Sequence, residues 1–192
     1  MKGKLFLLGL IAIFSTGCTG TKVLVTPDPE SFEAVYNYKY QDLGLRNIPG
    51  DKVYAPAGNI TESFGTELRT SRFAKNVYYP LRPDDNVDII LESKFDLEMD
   101  PHMGSGMVKA FITGFTFFLL EPLFWYDYDY KIVGSVDVYK NGILTHNVSA
   151  QTDATTSMKW LSLSKGQTLE GEALGKAKRS LFKQLMIELD KE

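Results

Sequence analysis

Between Asn86 and Met99 the chain alternates. Val87, Ile89, Leu91, Phe95, Leu97 and Met99 take odd positions, and Asp88, Glu92, Lys94, Asp96 and Glu98 take even ones. A period of two predicts a strand with one buried and one wetted face. Tyr126 to Tyr139 repeats the pattern, with Tyr126, Tyr128, Tyr130, Ile132, Val136 and Val138 set against Asp127, Asp129, Lys131 and Asp137. Asn141-Gly142 follows at once, and this pair favours a tight hairpin because both central residues of a type I′ turn need positive φ. Ile143 to Thr152 is then the return strand. Phe32 to Tyr40 also alternates, through Phe32, Ala34, Tyr36, Tyr38 and Tyr40, and predicts another strand. Lys75 to Tyr79 is a short one.

Other stretches read as helix or loop. Ile60, Phe64 and Leu68 fall on one helical face, with Asn59 as N-cap and Glu62 three residues on, so a helix is predicted over Asn59 to Ser71. Leu174, Ala177, Leu181, Leu185 and Leu189 predict a C-terminal helix over Thr168 to Leu189, with Lys176, Lys178, Arg179 and Lys183 mostly on its other face. Leu43 to Gly58 carries Gly44, Pro49, Gly50, Pro56 and Gly58 and reads as loop. Asp153 to Gln167 is polar and irregular. Thr19 to Ser31 holds Pro27 and Pro29 and reads as an extended tether. The order predicts an α+β fold, a two-layer mixed β-sheet with helices packed on one face.

The first residues have a different character. Lys2 and Lys4 precede an uncharged, mainly apolar run from Leu5 to Phe14, and Ser15-Thr16-Gly17 precedes Cys18, the one cysteine of the chain. This is the pattern of a cleavable signal peptide, and the run is too short to span a bilayer. Ser15-Thr16-Gly17-Cys18 resembles a bacterial lipobox. The resemblance implies cleavage before Cys18, acylation of its thiol and a new N-terminus there. Ser15 departs from the leucine usual at its position. Ser15 and Gly17 also suit an ordinary signal peptidase, which would leave a secreted chain with a free thiol. Thr19, in place of the aspartate that resembles an inner-membrane retention signal, implies the outer membrane. The expected organisation is a signal peptide over residues 1–17, a lipidated N-terminus and tether over 18–31, and one periplasmic α/β domain over 32–192. The helix-then-strand order of that domain resembles TolB amino-terminal and CsgG-like periplasmic α/β domains.

Charge narrows the partners. The formal net charge is −3, from 21 basic and 24 acidic residues, and loss of Lys2 and Lys4 with the signal peptide takes it to −5. A mildly acidic domain without a basic stripe argues against nucleic acid.

Few motifs carry chemistry. There is no P-loop, no G-x-G-x-x-G, no G-x-S-x-G and no H-E-x-x-H. His102 and His146 are the two histidines, and a zinc site would need carboxylates to complete it. Ser162-Leu163-Ser164-Lys165 matches S-x-x-K without its partner motifs, and reads better as a solvated loop. Asp84-Asp85-Asn86-Val87-Asp88 lacks the glycine and distant glutamate of a calcium loop, and reads better as a turn. Asp127 and Asp129 share a strand face, so a carboxylate pair for acid–base work is geometrically open.

Two apolar features stand out. From Ala110 to Leu120 no charged residue occurs, and Lys109 and Glu121-Pro122 bracket the run. It is too short to span a membrane. It suits a crossover that completes the core, a segment dipping into a membrane surface, or an interface, and Gly106, Ala110 and Gly114 would let another helix come close. Trp125 to Tyr130 alternates aromatics with aspartates, which suits a cross-strand ladder, a glycan platform or a headgroup contact. Met107, Phe111, Phe115, Phe118, Leu119, Phe124 and Trp125 are the candidate interaction surface. The expected function is that of a non-enzymatic accessory or assembly factor of a cell-envelope complex, anchored through Cys18 in the outer membrane and facing the periplasm. It would have an envelope protein as partner and no cofactor or metal. The alternative is a lipid- or glycan-binding periplasmic carrier.

Overall fold

Alternation in the sequence becomes a sheet whose inner face is the core. In the computed structural model, β4 (Ile89–Asp100) buries Leu91, Ser93, Phe95 and Leu97. The next strand, β5 (Trp125–Lys140), buries Tyr130, Ile132, Val136 and Val138, and β6 (Ile143–Lys159) buries Thr152, Ala154, Thr156 and Met158. Asn141 and Gly142 join β5 to β6 with φ of 50° and 77°, as a type I′ turn requires. Residues 20–48, 57–87, 89–102, 107–109, 111–112, 115, 124–159 and 164–191 are described.

The remaining strands are β1 (Thr21–Thr26), β2 (Tyr40–Asn47) and β3 (Ala74–Tyr78). The sheet order is β1-β6-β5-β4-β2-β3. β2 runs parallel to both β3 and β4, with Leu43 opposite Val77 on one side and Ile89 on the other. With the antiparallel β5–β6 hairpin this makes a mixed sheet. Helices α1 (Ile60–Thr70) and α2 (Gly166–Asp190) make the fold α+β.

Three expectations are corrected. The stretch from Phe32 to Tyr40 is not a strand. Tyr38 has a φ of 54° and its N–H goes to the Arg72 carbonyl, while Tyr36 tucks its ring edge-on against Phe73. The strand begins at Tyr40 instead and occupies part of the expected loop; residues 49–56 of that loop lie outside the described set. Leu43, Gly44 and Leu45 are all buried, because β2 is an inner parallel strand covered on both faces. Gly44 is no loop signal here. A Cβ at this position would stand 2.9 Å from both Leu81 and Val87, so the missing side chain makes room for residues 81–87.

β6 is the third case. It continues through residues expected to be irregular, as far as Lys159. Thr152, Ala154 and Thr156 fill the inner positions, and small or hydroxylated residues hide a buried alternation from any search for apolar ones. The expected tether is extended, but its Thr21–Thr26 stretch is an edge strand against β6. A short 3-10 turn at Pro29–Ser31 follows, capped by the Asp28 carboxylate accepting from the Glu30 N–H.

The chain gathers into two compact units, with boundaries inside β1, β4, β5, β6 and α2. The larger unit contains Val25–Met99, Tyr130–Ala154 and Leu174–Glu192. Its core joins sheet to helices through Phe95 of β4, which packs on Phe64 of α1 at 5.8 Å and on Phe182 of α2 at 5.9 Å between ring centres. Phe64 and Phe182 close the triangle at 5.2 Å. Asn59 caps α1 by accepting the Glu62 N–H at 3.1 Å. Polar residues of α2 tie down main-chain loops: Ser180 donates to the Pro27 carbonyl, Lys183 to those of Pro29 and Phe32, and Lys178 to that of Ala57. Burial holds the Lys178 pKa below its ordinary value.

Candidate functional site

The smaller unit takes its described residues from Met1–Leu24, Asp100–Asp129 and Thr155–Ala173. Residues 107–109, 111, 112 and 115 of it are helical. Met107, Phe111 and Phe115 recur every fourth residue and so share one side of a helix. They are 66%, 77% and 81% exposed, and Val108 beside them is exposed as well. Lys109, two residues on from Met107, projects to the opposite side. Its ammonium donates to the Trp125 carbonyl, lies 4.0 Å from Asp127 Oδ2 and stands over the Tyr126 ring. In water a helix normally turns its apolar stripe inward and its charges outward. This stretch does the reverse.

Trp125 begins β5 beside that lysine. Lys22 of β1 and Lys159 of β6 stand over its ring, 5.0 and 5.4 Å from the centre, in cation–π range. Gly20 lies against the same ring. A Cβ there would come within 2.8 Å of Trp125 Cη2, and the Gly20 carbonyl accepts the Lys159 N–H at 3.0 Å. The chain is thereby fixed two residues after Cys18.

A polar cluster occupies the same unit. Asp129 accepts from Thr155 Oγ1 through Oδ1 at 2.7 Å, and its Oδ2 lies 2.7 Å from His102 Nε2. His102 has a φ of 46°, and its N–H goes to the Asp100 carboxylate. The hydrogen bond to Asp129 raises the His102 pKa above its ordinary value, against partial desolvation. Burial works to raise that of Asp129, but the hydrogen bonds from Thr155 and His102 outweigh it and bring it below the usual range. The order of contacts matters. Nucleophile activation needs a hydroxyl against the imidazole. Here hydroxyl and imidazole both bind the carboxylate between them.

Of the candidate surface, Met107, Phe111 and Phe115 come together as one exposed row, and Phe124 and Trp125 are half-buried nearby in sequence. Cys18, Phe118 and Leu119 lie outside the described residues, as do Ser162 and Leu163 of the S-x-x-K match. Asp85 caps a turn, accepting the Arg82 N–H at 2.7 Å, while Asp88 lies outside the described set. Among the described residues no group of three or more His, Cys, Asp or Glu could hold a metal. No described helix is long and apolar enough to cross a membrane. Sequence reading passed over three features: Lys22 and Lys159 on Trp125, and His102 on Asp129. All depend on pairings between residues far apart in the chain.

No protein-family model matches the chain, and no curated protein matches it. Solved structures similar to it include a minor lipoprotein from Acinetobacter baumannii, at 11% identity over 80% of this chain and 90% of that one, with a TM-score of 0.41. Rare lipoprotein B from Shewanella oneidensis matches at 14% identity over 79% and 94%, with a TM-score of 0.42. A PelC dodecamer from Paraburkholderia phytofirmans matches at 13% identity over 83% and 97%, with a TM-score of 0.36. Likeness of this size carries no argument about activity, partner or address.

Proposed function

We propose that this chain is a non-enzymatic lipoprotein, anchored by lipid on Cys18 in the outer membrane and facing the periplasm. It serves as an accessory or assembly factor of a cell-envelope complex. The observation that carries this reading is the exposed apolar surface: the outward row of Met107, Phe111 and Phe115, which suits the anchoring membrane, and Ile143 with Leu144 next to the β5–β6 turn, which suits a protein partner. Contiguous apolar surface is seldom left in water and marks a contact.

The polar cluster supports a binding role over a catalytic one. Asp129 is engaged by Thr155 and His102, which supports a structural use of its carboxylate. A glycan or lipid carrier would draw on the same aromatics. Lys22 and Lys159, however, stand over the Trp125 ring where a sugar would stack.

Fractionation of cells making the chain or its Cys18→Ala variant tests the reading. The parent chain is expected in outer membranes, and in mild detergent within an assembly larger than itself. The variant is expected in the soluble periplasm and outside that assembly. A parent chain that is soluble and alone would contradict the reading.

A further inference from the structure

We propose that the row of Met107, Phe111 and Phe115 is a docking surface for the phospholipid bilayer that holds the chain's own acyl groups. This rests on the reading of Cys18 as the lipid anchor. Three observations within one unit carry it.

The first is the reversed helical stretch. Its apolar side faces out, and Lys109 on the opposite side is satisfied by Trp125 and Asp127. The uncharged run is too short to cross a bilayer and suits a helix lying in the interface.

The second is the company it keeps. Trp125 and Tyr126 adjoin Lys109 on the side of the stretch away from the row, and Lys22 and Lys159 adjoin Trp125, so these groups would lie above a row sunk in the acyl region. Tryptophan and tyrosine settle at headgroup depth, and lysine reaches lipid phosphates from there.

The third decides between a bilayer and another occupant. Gly20 is seated on the Trp125 ring. Two residues of chain reach at most about 7 Å. Acyl chains on Cys18 would therefore enter the bilayer close to Gly20 and Trp125. Tethering at this range turns a weak second contact into an intramolecular one, so the surface needs little affinity of its own. A protein partner would have to take this face in competition with the membrane already next to it.

The test uses the mature, acylated protein in vesicles of phosphatidylethanolamine and phosphatidylglycerol. Acylation of Cys18 leaves Phe115→Cys as the one free thiol, which is given a nitroxide. Val35→Cys, at a 99% exposed position of the other unit, is the control. The protein is expected to float with the vesicles. The label at 115 is then expected to collide more with oxygen than with a water-soluble nickel reagent, and the label at 35 to do the opposite. A floating protein whose label at 115 behaves like that at 35 overturns the docking surface and leaves the anchor standing. So does spin–spin broadening at 115, which would mean a second copy, or a photo-reactive residue at 115 that captures protein and no lipid in cells. A protein that does not float overturns both readings.

Discussion

Lys109 donates to the main-chain carbonyl of Trp125, and that bond sets which way the short helical stretch faces. With the lysine turned to the protein, Phe111 and Phe115 have nowhere to go but outward. Replacing both with serine should therefore cost little stability, within about 0.5 kcal/mol, as for other surface substitutions. Phe64→Ala, which breaks the Phe64–Phe95–Phe182 triangle, should cost roughly 3–5 kcal/mol. Urea unfolding of the two variants measures the contrast. A large loss from the serine pair would mean that the phenylalanines belong to the core.

Gly134 sits where β5 passes beneath Phe95 and Leu181. A Cβ there would come within 2.9 Å of the Phe95 ring, which Phe64 and Phe182 hold in place. Gly134→Ala should lower stability by about 1–3 kcal/mol through overpacking. Phe95→Leu in the same chain should recover part of the loss, and denaturation of single and double variants reads the coupling.

Much of this was legible in the sequence, and the exceptions share a cause. The strands Ile89–Asp100 and Trp125–Lys140 alternate between oil and charge, and their patterns are unmistakable. Asn59 and Asn141-Gly142 act through local backbone chemistry and were equally readable. β2 was missed because an inner parallel strand does not alternate, and because Gly44 is shaped by contact with Leu81 and Val87. The far half of β6 was missed because its buried positions are filled by Ala154 and Thr156 before the first large apolar residue, Met158. The apolar run was visible as apolar. Its facing was not, since that depends on which side Lys109 finds its partners.

Tyr36 is buried, and its hydroxyl makes no hydrogen bond among the described residues. Burial, aided by the charge of Asp190, pushes its pKa to about 12. An unpaired buried hydroxyl carries a desolvation cost of about 1–3 kcal/mol. Tyr36→Phe keeps the ring against Phe73 and should leave stability unchanged or raise it by up to about 1 kcal/mol. Thermal unfolding checks this, and a clear loss would reveal a partner for the hydroxyl.

His102 should titrate above its ordinary 6.5, because its strongest contact is the Asp129 carboxylate. The sign follows from linkage. A raised folded pKa means that the pair's contribution is full below the unfolded value and fades as pH rises through the folded one. Asp129, whose pKa is lowered, loses its contribution as pH falls through its folded value. Proton NMR of the imidazole should show the raised pKa, and Asp129→Asn should bring it back down. An unchanged value in that variant would remove Asp129 as the cause.

Everything proposed for this chain starts from acylation of Cys18. Intact-mass and N-terminal peptide analysis of the chain extracted from bacterial membranes reads its fate directly. A chain beginning at Cys18 and carrying acyl groups on that residue is expected. A chain that still begins at Met1, or one cleaved there with a free Cys18 thiol, would contradict it.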